Sequence, residues 1–551
     1  MDIHNPSNET IIKDDAVLKH IHSIVAPHAT LVTTRAKRKK DTLQRTVSWL
    51  DWSAIAAFSL PFLLYWLTAA PTIYNLDSAE FTTAVATNGL IRATGYPLYL
   101  LLGKLWLWLP LGTDMGYRLN LLSAFCGAMT ILLGERILRR LGVSSWARLA
   151  ALGLLATAPF FWALSLIAEV YTLHTALMAG VILALMRWAA APTAWRFALS
   201  VFLMALSLGN HAATVLLIPG CIWFVLTQHP RKVLQPHMLL IGMGALLLGT
   251  AVFLLLPLRY ASQPTFNYAG LYDSFGVFHP INLQTWSGFW QLISGQTFAG
   301  QMFGYHLTDL GPQVVTYVSQ LWRAFFAIGI GPGIVGMVVL WRRDWRLNGL
   351  LSLMFLANAI FYINYRVVDK ETMFLPTYLI FALWVGIGCQ WLLNEVMPNP
   401  KKTETLASVK LNTFVPLCIM LIVALPVGAN WRQVDLSDDW STRQQSELIL
   451  QQAEPNALIF GWWETVPAIQ YLQLVEGQRP DITVINRFLI SAEDMNRLIT
   501  NAVNQRPVYI NNPSIALLRE TTATAVGPLY RLEPQKPAVI DPHKTVMEQQ
   551  N

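Results

Sequence analysis

Residues 74–110 read YNLDSAEFTTAVATNGLIRATGYPLYLLLGKLWLWLP. Asp77 and Glu80 fall just past the first hydrophobic span, in a segment that returns to the membrane without clearly crossing it. A carboxylate beside lipid is costly, so an acidic pair at a membrane boundary marks a site. Spaced three apart, the two acids share one face of a helix. Gly95-Tyr96-Pro97 reads as a turn, and 98–110 as an interfacial or re-entrant piece with Tyr96, Tyr99, Trp106 and Trp108 as anchors.

The rest of the chain sets this segment in a membrane. Of 551 residues, 54% are hydrophobic and only 13% charged, with a mean hydropathy of +0.42. Soluble domains carry about 25% charged residues. A crossing helix needs roughly 20 mainly apolar residues. Eleven windows qualify, near 53–71, 118–138, 147–165, 167–187, 196–209, 211–228, 237–257, 321–341, 347–365, 371–393 and 411–430. The polar start, 1–52, ends its charge run in RAKRKK (35–40) and is no signal peptide, because the first apolar span begins only near Ser53. It reads as a cytoplasmic basic tail. Cys126, Cys221, Cys389 and Cys418 all lie in apolar spans, with no disulfide framework and no metal spacing. The net charge of +7 sits at span ends, which points to topology and away from nucleic acid.

With the N-terminus inside, alternate short loops hold thirteen basic residues: Arg139, Arg140, Arg148, Arg187, Arg196, Arg231, Lys232, Arg342, Arg343, Arg346, Lys401, Lys402 and Lys410. The opposite loops hold six: Arg92, Lys104, Arg118, Arg259, Arg366 and Lys370. This positive-inside bias divides the chain into a transmembrane domain over 53–430 and an extracytoplasmic α/β domain over 431–551 with a disordered end. The transmembrane domain carries outer loops at 71–117 and 258–320. In the last domain, ALIFGWW (457–463) and ITVINRF (482–488) read as buried strands around a helical stretch, 465–477.

Under this topology the polar residues of the spans converge on the outer boundary. Glu169 and His174 stand in LIAEVYTLHTAL, Asn210 and His211 in SLGNHAAT, Arg259 in LPLRY, and Arg366, Asp369 and Lys370 in NYRVVDKE. Each alone has an ordinary reading: a solvated loop acid, a packed histidine, a snorkelling cation. Together they suit a polar or anionic substrate.

The motifs DSAEF and ATGYPLYLLLGKL resemble the D-S-G-E-F … P-P-G-Y-P-L-Y signature of a large membrane family similar to the protein O-mannosyltransferases. The likeness continues through RLNLLSAFCGAMTILL, IAEVYTLH, LSLGNHAAT, LPLRYASQP and YRVVDKETMFLPTYLIFALWVGIG to YLQLVEGQRPDITVIN. Ala79 departs from the usual Gly, and Arg92-Ala93-Thr94 stands where a His-Pro-Pro-like stretch is common.

The resemblance implies a GT-C-type glycosyltransferase: a polytopic α-helical membrane protein of about eleven spans, in the plasma membrane, its α/β domain extracytoplasmic. It would move a sugar, with mannose expected, from a polyprenyl-phosphate donor to a hydroxyl of a protein or glycan acceptor. Asp77 and Glu80 match the family's two acids, Asp77 as base and Glu80 as orienting group. Arg92, Tyr96, Arg118, Glu169, His174, Asn210, His211, Arg259, Arg366 and Asp369 are the expected substrate-binding residues. Arginine grips phosphate oxygens with a bidentate fork, which suits Arg259, Arg366 and Arg118 to the leaving group. No cofactor or metal ligand set is expected, although the two acids leave room for a divalent cation. A flippase for a lipid-linked sugar would share the many spans, and a non-catalytic sensor would centre on the C-terminal domain. Boundary polarity without an internal repeat favours the transferase over both.

Overall fold

The computed structural model describes residues 51–75, 77–396 and 406–535. The expectations for the tail 1–50, for Lys401 and Lys402 and for the end beyond 535 fall outside these residues. The fold is mostly helical. Among the described residues, six helices are long and apolar enough to cross a membrane: Met115–Arg140, Tyr171–Ala190, Pro236–Ala261, Trp345–Ile363, Lys370–Glu395 and Leu417–Val434. Four shorter apolar helices accompany them: Trp52–Thr68, Ser145–Ala156, Ala194–Leu208 and Ala212–Gln228. Leu240, Leu247, Leu248 and Leu254 lie exposed along one of the six. In water such a stripe would be an aggregation surface; in lipid it is the ordinary outer face of a span.

Four elements carry the opening motif: α1 (Trp52–Thr68), α2 (Ser78–Thr87), α3 (Pro97–Trp106) and α4 (Met115–Arg140). Asp51 caps α1, its carboxylate accepting from the Ala54 N–H at 3.0 Å. Asp114 caps α4 through the Tyr117 N–H at 2.8 Å. The chain between α1 and α2 is pinned by Asn120 of α4, which donates to the carbonyls of Ala70 at 2.8 Å and Thr72 at 2.9 Å. Pro97 opens α3, where its missing N–H costs nothing. At ten residues, α3 is about 15 Å long, half of what the hydrocarbon requires.

Several expected spans are interrupted. The window 147–165 divides at Pro159, so Ser145–Ala156 and Pro159–Ala163 are separate helices, because proline has no N–H for the preceding turn and clashes with it. The window 321–341 breaks between Leu310–Ala324 and Ile330–Arg343, with Phe326 at φ 51° and Ala327 at φ 58°. The window 211–228 starts as a 3-10 turn, Ala212–Leu217. The helix of 167–187 begins only at Tyr171, which leaves Glu169 ahead of it.

The loop after Arg259 forms a short antiparallel pair, β1 (Gly270–Tyr272) and β2 (Phe278–Pro280). A five-stranded sheet lies in the last part of the chain, in the order β4-β3-β5-β7-β6. Its strands are β3 (Leu458–Gly461), β4 (Thr483–Asn486), β5 (Val508–Ile510), β6 (Thr521–Val526) and β7 (Leu529–Pro534). β3 runs parallel to β4 and β5, while β7 is antiparallel to both β5 and β6. The helix Val466–Leu474 joins β3 to β4.

This α/β part is built onto the membrane helices. Ile73 and Ala79, beside the acids, share one buried cluster with Ile449, Leu450, Val466 and Ile469. Each buried Ile or Leu stabilises by about 1.5–3 kcal/mol over exposure. Arg443 completes the join: it holds Glu476 through both nitrogens at 2.7 and 2.6 Å and reaches Asp114, the α4 cap, at 3.4 Å.

Gly89, just past α2, lets the chain close on the loop before β1. Leu90 N–H donates to the Phe266 carbonyl at 2.9 Å, and Tyr268 N–H to the Leu90 carbonyl at 3.0 Å. A Cβ on Gly89 would lie 2.6 Å from the Phe266 carbonyl oxygen, whereas one on Gly244 meets nothing within 4 Å. Gly89→Ala should therefore lower the thermal unfolding midpoint of the detergent-solubilised protein, by an equivalent of about 1–3 kcal/mol. Gly244→Ala, in a helix interior, should hold or raise it. Equal midpoints for the two variants would refute the close approach.

Candidate active site

DSAE has the form of a capping box, in which an N-terminal Asp and a Glu three residues on satisfy the first helical N–H groups. The structure uses them otherwise. Asp77 makes no side-chain cap at the start of α2. Both carboxylates are turned onto Arg92, which returns from the turn after α2. Arg92 Nη2 lies 2.5 Å from Asp77 Oδ2, and its Nη1 pairs with Glu80 Oε2. The Arg92 N–H also donates to Glu80 Oε1 at 3.4 Å.

Gly95 at φ 79° and Tyr96 at φ 43° reverse the chain after Arg92, a geometry that glycine adopts without strain. Leu98 N–H then ties α3 to the Gly209 carbonyl at 2.9 Å. The side chains of Arg92, Asp77 and Glu80 are 21%, 13% and 1% exposed. The cluster is therefore open at Arg92 and Asp77 and closed at Glu80. Asp77 Oδ1 has no hydrogen-bond partner among the described residues.

Burial pushes the Glu80 carboxyl from 4.5 up to about 8, with Arg92 pulling it back and Asp77 adding to the rise. Burial works against the Arg92 charge, but the coulombic pull of Asp77 and Glu80 outweighs it and holds the guanidinium protonated. Burial likewise raises the Tyr96 phenol and keeps it neutral. Asp369 is raised by burial first and then by Asp77, with Arg92 opposing, so a third carboxyl lies within the field of this cluster.

Four other expected residues line the adjoining interior. The Tyr96 ring packs edge-on to Phe81 at 5.3 Å and lies 5.9 Å from the His211 ring. His211 packs 5.5 Å from His174 and 5.7 Å from Tyr171, and its Nδ1 accepts from the Ala213 N–H at 3.1 Å. Asn210 donates to the Val170 carbonyl at 3.1 Å, and Ser123 Oγ accepts from the Glu169 N–H at 3.1 Å. Glu169 Oε2, Tyr99 Oη, Thr172 Oγ1, His174 Nε2 and Asn210 Oδ1 are buried without a hydrogen-bond partner among the described residues. Buried polar atoms are rarely left so; a ligand's hydroxyls would satisfy them.

The arginines part company. Arg366 is exposed, its N–H bonded to the Gln301 carbonyl at 2.9 Å, and its guanidinium has no hydrogen bond or ion pair among the described residues. Arg259 is buried and donates to the carbonyls of Gly89 at 2.9 Å and Leu100 at 3.5 Å. Arg118 binds the carbonyls of Leu107 and Leu109 at the end of α3. These two brace α2 and α3 and do not join the acidic cluster. Lys370, buried, turns to Tyr305, with its Nζ 3.3 Å from the hydroxyl. Trp463, from just after β3, was not legible as a site residue: its ring centroid lies 4.2 Å from the Arg92 guanidinium carbon. GWWE (461–464) carries no spacing signal that could have found it.

Residues 77–234 match the family described as the protein O-mannosyl-transferase TMEM260 N-terminal domain. The protein O-mannosyl-transferase tmem260 of Dictyostelium discoideum is 22% identical over 513 residues, 84% of this chain and 60% of that one. The protein O-mannosyl-transferase TMEM260 of Mus musculus is 25% identical over 462 residues, 80% of this chain and 63% of that one. The chain thus spans less than two thirds of the length of these curated relatives. Among solved structures, ArnT from Cupriavidus metallidurans bound to undecaprenyl phosphate superposes with a TM-score of 0.54 at 11% identity, covering 87% of this chain and 97% of that one. The same protein in the apo state gives a TM-score of 0.54 at 10% identity. The family resemblance read from the motifs is borne out, and the helical fold is similar to that of ArnT.

The raised Glu80 carboxyl has a consequence for stability. Between 4.5 and about 8 the folded protein keeps a proton on Glu80 that the unfolded chain has released, so stability falls as pH rises through that window. The unfolding midpoint of the solubilised protein should drop across it, and Glu80→Gln, which cannot titrate, should flatten the drop. An unchanged slope in Glu80→Gln would rule out a shifted Glu80.

Proposed function

We propose that this chain is a membrane glycosyltransferase. It transfers a sugar, with mannose favoured, from a polyprenyl-phosphate donor to a hydroxyl of an acceptor protein at the extracytoplasmic face of the plasma membrane. The observation that carries this reading is the Asp77–Arg92–Glu80 cluster, with one oxygen of Asp77 tied to Arg92 and the other without a partner among the described residues. The names of the Dictyostelium and mouse relatives support the reaction class. The undecaprenyl phosphate bound to ArnT supports the donor class.

In this mechanism the acceptor hydroxyl oxygen attacks the anomeric carbon of the sugar, and the bond from that carbon to the phosphate oxygen breaks. Asp77 Oδ1 takes the hydroxyl proton, and polyprenyl phosphate leaves. Glu80, buried behind, fixes Arg92, and Arg92 in turn fixes Asp77 at the angle from which it accepts the proton. Arg366, unpaired and exposed, is the group for the leaving phosphate, since a guanidinium matches phosphate oxygens in a fork. Glu169, His174 and Asn210 line the sugar's side with unmet polar atoms for its hydroxyls, and the Tyr96 ring stands beside His211.

Purified protein given polyprenyl-phosphate-mannose or polyprenyl-phosphate-glucose, with peptide and lipid acceptors, should release polyprenyl phosphate and mannosylate the peptide. A positioned base contributes about 10²–10⁴ in rate, so Asp77→Asn should lose about that factor with its fold intact. Arg366→Ala should weaken donor use. Donor binding with no turnover on any acceptor would instead favour a carrier of the lipid-linked sugar, and an undiminished Asp77→Asn would dismiss Asp77 as the base.

A further inference from the structure

The guanidinium that holds the acids has one face covered from far along the sequence. Asp77 and Glu80 engage Arg92 at its edge nitrogens, which leaves the flat faces. The Trp463 ring lies against one of them, 4.2 Å from centroid to guanidinium carbon. Arginine combines edge-on hydrogen bonding with face-on stacking in this way, whereas lysine cannot.

Trp463 is itself held from two sides. Tyr268 packs edge-on at 5.4 Å and Phe488 at 5.4 Å. Tyr268 is fixed in turn by its hydroxyl bond to Gln470 of the helix Val466–Leu474 and by Phe266 at 4.5 Å. Next door, Arg487 stacks on Trp462 at 4.2 Å, with Phe488 packed 5.7 Å from that ring. One further atom is unaccounted for: Trp463 Nε1 is buried with no hydrogen-bond partner among the described residues. A buried donor left unmet is costly, and a substrate oxygen would meet it.

We propose that Trp463 is a positioning residue of the active centre: stacked on Arg92, it fixes the plane of the guanidinium that aligns Asp77 and Glu80, and it presents its indole N–H to an oxygen of the bound substrate. The inference rests on the glycosyl-transfer reading above and adds to it. The α/β part supplies one wall of the catalytic centre.

Trp463→Phe keeps a ring over Arg92 and loses the N–H, so it should raise KM while holding kcat within about threefold. Trp463→Ala loses both, and kcat should fall roughly 3- to 30-fold, the range of a desolvated cation–π contact. Because the stacking acts through Arg92, Trp463→Ala should cost nothing further in kcat in an Arg92→Lys background, while KM still rises with the loss of the N–H. The same cycle read on the thermal unfolding midpoint, which needs no substrate, should show non-additive shifts. The proposal is overturned if Trp463→Ala costs the same factor in kcat with and without Arg92, if Trp463→Phe falls as far in kcat as Trp463→Ala with KM unmoved, or if the midpoint shifts simply add. A wild type that transfers no sugar would sink the reading of the reaction instead, and the thermal cycle would still decide whether Trp463 and Arg92 are coupled.

Discussion

A charged guanidinium held between two carboxyl groups, one of them sealed from solvent, is the interaction on which this end of the molecule depends. Two ionised acids so close would repel. At 4 Å and an effective dielectric constant near 20, two like charges cost about 4 kcal/mol, and burial adds the loss of hydration, so the buried Glu80 keeps its proton up to about 8. Arg92 converts that cost into an ordered cluster. Removing one partner of such a buried set leaves uncompensated charge, typically worth about 3–5 kcal/mol. The surrounding backbone serves this contact: the glycine after α2 lets the chain come close to Phe266, Arg92 in the connection between α2 and α3 faces the start of α2, and the left-handed pair Gly95 and Tyr96 then turns the chain into α3.

Much of this was legible in the residues, for identifiable reasons. Asp77 and Glu80 share a helix face because their spacing is local; Arg92 was read as a substrate contact, and its pairing with both acids emerges only in the structure. The short reach of 98–110 followed from charge bias alone. The strand stretches ALIFGWW and ITVINRF contain β3 and β4: LIFG is buried throughout, and TVIN is buried apart from Thr483. What escaped was long-range. No spacing rule sets Trp463 against Arg92, and none separates the unpaired Arg366 from Arg118 and Arg259, which are spent on carbonyls. A basic residue at the end of a span looks the same in sequence whether it meets a ligand or closes a helix end.

The cations read as topology signals show the same limit at the opposite end of the bundle. Arg139 pairs with Asp51, and Arg148 lies 3.2 Å from Glu135, which also accepts from Ser53 at 2.9 Å. Charges that bias insertion are here also structural partners joining α1, α4 and the next helix, a role that needed tertiary contacts to be seen. The interrupted spans have the same origin: Pro159 was visible, but the second break takes its left-handed residues at Phe326 and Ala327 and not at the neighbouring Gly329.

The hydrophobic cluster that joins Ile73 and Ala79 to Ile449, Val466 and Ile469 sets an order of events in biosynthesis. The first helices enter the membrane while most of the chain is still unmade. The acidic turn beside them waits with its apolar face uncovered until nearly four hundred further residues have been synthesised. Only when the last sheet has folded does the acid-bearing helix acquire its second wall. A chain stalled before that point would carry the acidic motif without the surface that packs against it, so a closed cluster reports that synthesis has reached the last sheet.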